Sequence, residues 1–513
     1  MAGRFSKCGV ITLRRTCAAV ALVAAVVYGG TLRNAFALDD GHIILGNALV
    51  HNGSGIWRAF LTSYWPPAFG GFLYRPLPVA TFALDWQVGG PAWFHFVNVL
   101  WHALSSVLVV LLAARWTNLR AALLAGLVFA VHPVHVEAVA NIVSRSELMA
   151  TAFTLAGVYV AVELDRPWLS AALWGLGLLS KESAGVAPLL VALAWWAGVG
   201  RPRPPVRRAW LFAGAWGVAA ALYLTAAAVV LHGSVGSAGT APVFVGHSPV
   251  AVRLTAVAEL VDLFRLLLVP ITLRVDYSPD ERTIVPGILD GRFLSGVLVL
   301  ALWAVLVVVA WRRRRRVEAV GLAWIGIAYI PVSNLIVPIG ILMAERTLYL
   351  PSAGLALALG AAAGRLPARP LALGAALVIL AGAVRTVERV PVWRDNLHVV
   401  LSLLEDSPRS YQGPMASAGV YLEAGQPEKA LEAAGAAASI FPLDPRPYLI
   451  GAHAALKIGR VTTADSLLAL ADRHCAPCAG VYEAEIAVAR SLRDSAIADS
   501  LQSHLRRLGR SLP

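Results

Sequence analysis

The chain has 513 residues, of which 58% are hydrophobic and 14% charged, with a mean hydropathy of +0.68. Soluble globular chains carry about a quarter charged residues, so composition excludes a wholly water-soluble protein and assigns most of this one to lipid. The formal charge of +13 does not point to nucleic acid: Arg14, Arg15, Arg201, Arg203, Arg207, Arg208 and the run Arg312 to Arg316 sit between apolar runs, where basic clusters hold a loop on the cytoplasmic side and meet anionic headgroups.

A helix needs about 20 apolar residues to cross a bilayer. Runs of that kind predict spans near 16–33, 94–114, 119–132, 147–163, 168–180, 184–199, 209–231, 293–311, 317–337, 349–364 and 370–387. Residues 251–270 are apolar but carry Arg253, Glu259, Asp262 and Arg265. Each charge costs about 2.5–3.5 kcal/mol at the bilayer centre, so this segment reads as a helix lying at the interface. With the N-terminus inside, seven spans place 232–292 outside and the eighth returns the five arginines to the cytoplasm, as the positive-inside bias requires. Eleven spans leave the tail outside. A cleaved signal peptide, with Ala35-Phe36-Ala37 as its small-x-small site, is the rival reading of the first span.

The composition shifts near residue 392, which divides the chain into a membrane domain (1–392) and a helical tail (393–513). Within the tail Leu422, Gly425 and Ala430 recur 34 residues later as Leu456, Gly459 and Ala464, and Ala464-Asp465-Ser466-Leu467 recurs as Ala498-Asp499-Ser500-Leu501. A 34-residue period with small residues at packing positions is the tetratricopeptide signature, here two to three repeats. Such a surface binds a peptide or another protein and performs no chemistry. Cys475 and Cys478 form a C-x-x-C that outside the cytoplasm reads as a local disulfide sooner than zinc, because no second ligand pair is present. The expected fold class is therefore all-α: a polytopic membrane bundle in the inner (plasma) membrane with an extracytoplasmic, periplasmic repeat solenoid.

The informative residues of a membrane chain are the polar ones that lipid should exclude. On this topology they gather at the outward junctions: Asp39-Asp40; Arg75, with His95 and Asn98; His132, His135, Glu137, Arg145 and Glu147; Lys181-Glu182; and Glu345-Arg346 with Tyr349. Charges at five outward junctions predict one shared cavity suited to an anionic lipid-linked substrate. Arg145, Lys181 and Arg346, with Tyr349, are the candidates for a phosphate. Asp39 or Asp40 is the candidate general base. Arg75, His95, Asn98, His132, His135, Glu137, Glu182 and Glu345 are candidates for positioning sugar or acceptor. Bland readings stand beside these: Asp39 and Asp40 as helix caps, Lys181-Glu182 as a structural ion pair, Arg346 as a snorkelling side chain. The spacing of His132, His135 and Glu137 suggests a divalent metal, but Pro133 breaks the helical geometry, so no metal ligand is assigned.

These segments, Leu38-Asp39-Asp40, Tyr74-Arg75-Pro76-Leu77, Phe94-His95 to Asn98, His132-Pro133-Val134-His135-Val136-Glu137, Ser180-Lys181-Glu182, Asp276-Tyr277-Ser278 and Glu345-Arg346-Thr347-Leu348-Tyr349, strongly resemble the transmembrane-and-tetratricopeptide-repeat (TMTC-like) O-mannosyltransferases, in order and over nearly the whole chain. The resemblance implies a GT-C fold, a polyprenyl-phosphate sugar donor, an acidic base after the first span (Asp39 before Asp40) and inverting transfer of a sugar, mannose by resemblance, to Ser/Thr hydroxyls of exported proteins. The chain has far fewer repeats than that family. A surface-polysaccharide or lipid glycosyltransferase or ligase is the alternative enzyme. A membrane-anchored repeat scaffold is the alternative without chemistry, and it has no use for polar residues at alternate junctions.

Overall fold

A backbone in lipid must satisfy its N–H and C=O groups within its own segment, and the apolar runs of this chain accordingly fold as helices. The structure is a computed structural model that describes all residues except 1–6, 67–72, 233–239, 475–481, 483–484, 487–488, 491 and 512–513. In chain order the membrane part contains α1 (Lys7–Tyr28), α2 (Pro76–Val88), α3 (Pro91–Trp116), α4 (Leu119–Ala130), α5 (Arg145–Tyr159), α6 (Pro167–Ser180), α7 (Ala187–Ala197), α8 (Val206–Val230), α9 (Pro249–Ala258), α10 (Leu260–Leu268), α11 (Gly291–Arg312), α12 (Arg316–Tyr329), α13 (Tyr349–Ala363) and α14 (Ala368–Arg389). Among the described residues there is no strand.

Among the described residues five stretches are long and apolar enough to cross a bilayer alone: Thr12–Arg33, Pro91–Trp116, Ile142–Leu164, Val206–Val230 and Gly291–Arg312. A sixth candidate is α4 with Pro133–Ala140, a pair bent by 48° where Pro133 cannot continue the helix. The helices α6, α7, α12 and α13 have 14, 11, 14 and 15 residues. Length and apolarity alone thus give five or six crossings against the eleven expected. The run expected at 317–337 leaves α-helix after Tyr329, and Pro331 falls in the 3-10 turn Ile330–Val332 that follows. The interface segment 251–270 is two helices that meet at Glu259, and Asp262 within it is paired with both Arg265 and Arg282.

Tight helix crossings depend on small residues. A Cβ on Gly321 of α12 would lie 2.5 Å from the carbonyl oxygen of Gly354 in α13, and one on Gly354 would lie 2.5 Å from that of Gly321. No side chain fits on either partner. Around this crossing α1, α3, α4, α5 and α7 share one apolar core that includes Val20, Val109, Phe129, Leu155, Leu190 and Trp324. At the periphery α8 and α11 are each only 11% buried over their most apolar window. They present Leu222 and Leu298 outward, as helices facing lipid do.

The tail contains α15 (Asn396–Asp406), α16 (Gln412–Glu423), α17 (Pro427–Ile440), α18 (Arg446–Lys457), α19 (Val461–Arg473) and α20 (Ser495–Ser511). Val399 and Leu403 of α15 belong to the membrane core, so this helix packs on the bundle. From α16 onward helix starts recur at 34 residues: 412 and 446, then 427, 461 and 495. Ala430, Ala464 and Ala498 are buried at the same step. The left-handed turn residues recur with them, Gly425 (φ 68°), Gly459 (φ 75°) and Arg493 (φ 61°), the conformation in which a helix C-terminus reverses most easily at glycine. Cys475 and Cys478 lie outside the described residues.

His453 of α18 is fully buried between Glu485 and Asp494, at 2.5 and 3.0 Å, and Lys457 also binds Asp494 at 2.8 Å. Burial opposes the charged imidazole, but the two carboxylates outweigh it and raise the His453 pKa above its ordinary 6.5. A raised folded-state value contributes stability fully below the unfolded value and loses it as pH rises through the folded one. Protease resistance of the tail in the full chain is expected to fall as pH rises above about 6.5. His453→Gln should remove that dependence, and an unchanged pH profile in the variant would contradict the assignment.

Candidate active site

The loop after α1 is built around its two aspartates. Asp40 is 1% exposed. Its Oδ2 accepts from the Ala37 N–H at 3.0 Å and its Oδ1 from the Val143 N–H at 3.0 Å. Burial, with the Asp39 charge beside it, pushes the Asp40 carboxyl up to about 7 against those two hydrogen bonds. Leu38 takes a left-handed backbone (φ 48°), a conformation that costs a residue with a Cβ about 1–2 kcal/mol. Its N–H donates to Asn396 Oδ1 of α15 at 2.7 Å. The adjacent Asp39 is partly exposed, and among the described residues its carboxylate makes no hydrogen bond or ion pair. One acid braces the loop and the other is left available.

Three cations from separate segments form a cluster, each paired with a glutamate, and the Asp39 charge reaches one of them, Arg346. Arg346, in the 3-10 turn Glu345–Leu348 before α13, binds Glu137 through Nη1, and its own N–H donates to Glu137 Oε2 at 2.8 Å. Burial works against the Arg346 charge, but Glu137, Asp39 and Glu147 together raise its pKa. Lys181, at the end of α6, binds Glu147 of α5, and the charges of Arg75 and Arg346 both reach it. Arg75, at the start of α2, binds Glu182 through Nε and Nη2 at 2.8–3.2 Å, with its guanidinium 5.3 Å from the centre of the Tyr64 ring. The side chains of Arg75, Lys181 and Arg346 remain 14, 11 and 26% exposed. A guanidinium has five donors and an ammonium three, so each cation retains donors beyond its glutamate.

Other residues singled out in the sequence lie in scaffold positions. Arg145 is fully buried: Nε donates to Asn98 Oδ1, Nη1 to Thr81 Oγ1 and Asp85, and Nη2 to the Phe94 carbonyl. That cage leaves no nitrogen facing a ligand. Asn98 also donates to the carbonyls of Val139, Asn141 and Ile142. His95 reaches the Ala35 carbonyl, and Tyr349 Oη contacts His102 Nδ1 at 2.8 Å inside the core. Glu345 accepts from the Arg274 N–H and the Tyr277 hydroxyl, while burial and Glu137 push it up to about 8 against the pull of Arg389. His132 contacts the Leu267 carbonyl through Nε2 and accepts from the Val134 N–H at Nδ1, His135 contacts Ser352 Oγ, and Glu137 holds Arg346. These donor sets are turned to separate partners and do not fit a shared metal. Asp276 and Ser278 tie the outer loop to the tail: Asp276 accepts from both Ser278 and Ser410.

Sequence reasoning overlooked Asp85, the counter-ion of Arg145, and Asn396. The first had a signal, a lone carboxylate in an apolar stretch. The second had none.

A groove of about 340 Å³ runs between α6 and α8, walled by Leu73, Tyr74, Trp174, Leu178 and Tyr223, with Glu182 among its lining residues. A neighbouring cavity of about 440 Å³ shares Tyr74 and Tyr223 and extends past Trp168 and Leu222. The apolar path thus begins beside the Arg75–Glu182 pair. Another apolar cavity of about 340 Å³, lined by His132, Leu267, Ile271 and Ile379, has Arg385 in its wall.

No family model matches the chain. Among curated proteins, mouse protein O-mannosyl-transferase TMTC3 is 26% identical over 430 residues, covering 75% of this chain and 46% of that protein. Drosophila protein O-mannosyl-transferase Tmtc2 is 37% identical over 203 residues, 35% of this chain and 21% of that protein. Mouse TMTC4 is 27% identical over 467 residues, covering 76% and 61%. The chain spans about half the length, or less, of the first of these relatives. One solved structure, ArnT from Cupriavidus metallidurans bound to undecaprenyl phosphate, aligns with a TM-score of 0.41 and 14% identity over 92% of this chain and 76% of that one. By sequence the chain is similar to the TMTC protein O-mannosyl-transferases, at 26–27% identity over about three quarters of its length.

Proposed function

We propose that the chain is a membrane glycosyltransferase that moves a sugar, mannose by analogy with the names of its relatives, from a polyprenyl-phosphate donor to Ser/Thr hydroxyls of exported proteins on the extracytoplasmic face. The observation that carries this reading is the Asp39 carboxylate, without a hydrogen bond among the described residues, whose charge reaches Arg346 in a cluster of cations that keep donors to spare near an apolar groove. An isoprenoid chain lies along α6 and α8, and its phosphate meets Lys181, Arg346 and the remaining N–H groups of Arg75. Arg145 and Tyr349 act through the scaffold.

Asp39 takes the proton of the acceptor hydroxyl as that oxygen attacks the anomeric carbon. The bond from that carbon to the phosphate oxygen breaks with its electron pair leaving on the phosphate, whose charge the cations stabilise. Attack opposite the leaving group inverts the anomeric centre. No metal is assigned a step. The tail, read as tetratricopeptide repeats, holds the acceptor polypeptide.

The test is transfer from a synthetic polyprenyl-phosphate mannose to Ser/Thr peptides by the full chain in nanodiscs, read by intact mass. A hexose-sized gain on the peptide supports the reading. Hexose appearing only on lipid or glycan would replace it with the alternative enzyme. Because Asn396 fixes the loop that carries Asp39, Asn396→Ala is expected to lower kcat by about tenfold, since displacements near 1 Å cost up to a hundredfold, with the donor KM little changed. Asn396→Asp retains an accepting oxygen and is expected to stay near wild type. Equal losses in both variants would contradict the positioning role.

A further inference from the structure

α15 carries a line of leucines left largely exposed among the described residues, with Leu404 lying partly against Gly413 of α16. Leu397, Leu401 and Leu404, spaced four and three residues apart on one helical face, are 53, 48 and 43% exposed. Val399 and Leu403 on the other side of the helix, and Val400 at the edge of the stripe, are buried. The helix is fixed at both ends to the outward ends of membrane helices. At its start the Ala35 N–H donates to the Arg394 carbonyl and the Leu38 N–H to Asn396, both at 2.7 Å, which joins it to the loop beyond α1. At its end Asp406 and Ser402 bind Arg389, the last residue of α14. Those outward ends lie side by side, since Asn34 Nδ2 donates to the Val390 carbonyl at 3.4 Å. A helix tied between them lies across that end of the bundle, next to the exposed apolar residues Leu380, Val384 and Val387 of α14.

We propose that α15 is an in-plane interfacial helix whose Leu397, Leu401 and Leu404 enter the outer leaflet at the headgroup–acyl boundary. The reading of α1 and α14 as membrane helices underlies this. Continuity with the exposed apolar face of α14 argues for lipid as the occupant. The apolar residues of an interfacial helix sit about 5–10 Å deep. By its first turn α15 also holds the Asp39 loop, so the bilayer itself sets the height of that loop.

The test is nitroxide labelling, one site at a time, of the full chain in nanodiscs containing phosphatidylglycerol, with the four native cysteines replaced by serine. Labels at 397, 401 and 404 are expected to collide readily with oxygen and poorly with a water-soluble nickel chelate. They should fall between a lipid-facing reference at Leu222 and an aqueous reference at Ser439. Collision behaviour at all three sites matching Ser439 would overturn the proposal. So would protection from both reagents, which would indicate a polypeptide over the stripe. Neither outcome depends on transferase activity, so the result stands apart from the functional reading.

Discussion

Asp39→Asn is expected to lower sugar transfer about 10²–10⁴-fold, the usual contribution of a positioned general base, with expression, thermal stability and donor affinity close to wild type. The substitution keeps the shape of the side chain and removes only its basicity. Among the described residues no hydrogen bond of the loop uses the Asp39 carboxylate, so the substitution breaks none of them. Asp40→Asn is expected to behave in the opposite manner. It disturbs the paired contacts to the Ala37 and Val143 N–H groups, because an amide offers one accepting oxygen where the carboxylate offered two. Stability and activity should fall together. Initial rates and melting temperatures of the two variants in the same detergent distinguish the roles. Full activity in Asp39→Asn would remove it as the base.

Asp85→Ala is expected to be the most destabilising single change in the membrane part. Removing one partner of a buried pair costs about 3–5 kcal/mol, because it strands the remaining charge. Arg145 is fully buried, and its remaining partners, Asn98, Thr81 and the Phe94 carbonyl, are neutral. Removal of both charges in Asp85→Leu/Arg145→Met is expected to recover a large part of the loss, as apolar replacements of buried ion pairs often do. A double-mutant cycle on chemical denaturation in detergent measures the coupling. If the double variant is no more stable than Asp85→Ala, Arg145 is not the stranded group. This scaffold role also accounts for activity losses at Arg145 without any contact to a phosphate.

The sequence displayed its elements more clearly than their use. Apolar runs are legible because lipid selects by composition, and the 34-residue period is legible because Gly425 and Gly459 serve the same left-handed turn. The third such turn is occupied by Arg493, which no glycine pattern discloses. The polar residues at the expected outward junctions include the cations and carboxylates that the fold brings together, but their pattern could not separate exposed members from sealed ones. Arg145 and Arg346 are the same residue type at similar junctions. One is sealed by Asp85, which lies on a helix expected to be a loop, and the other keeps part of its guanidinium exposed. Adjacent Asp39 and Asp40 likewise differ through the contacts of Asp40 to Ala37 and to Val143, the second a hundred residues away. Which charges are neutralised internally is a tertiary fact.

In the proposed function an apolar groove between α6 and α8 leads a lipid phosphate to the cation cluster whose Arg346 feels the Asp39 charge. Photocrosslinking with a polyprenyl phosphate carrying a diazirine on its first isoprene unit tests it most directly. Labelling is expected on Trp174, Leu178 or Tyr223, and Lys181→Gln/Arg346→Gln should weaken it. Labelling confined to the cavity of Leu267 and Ile379 would contradict the account.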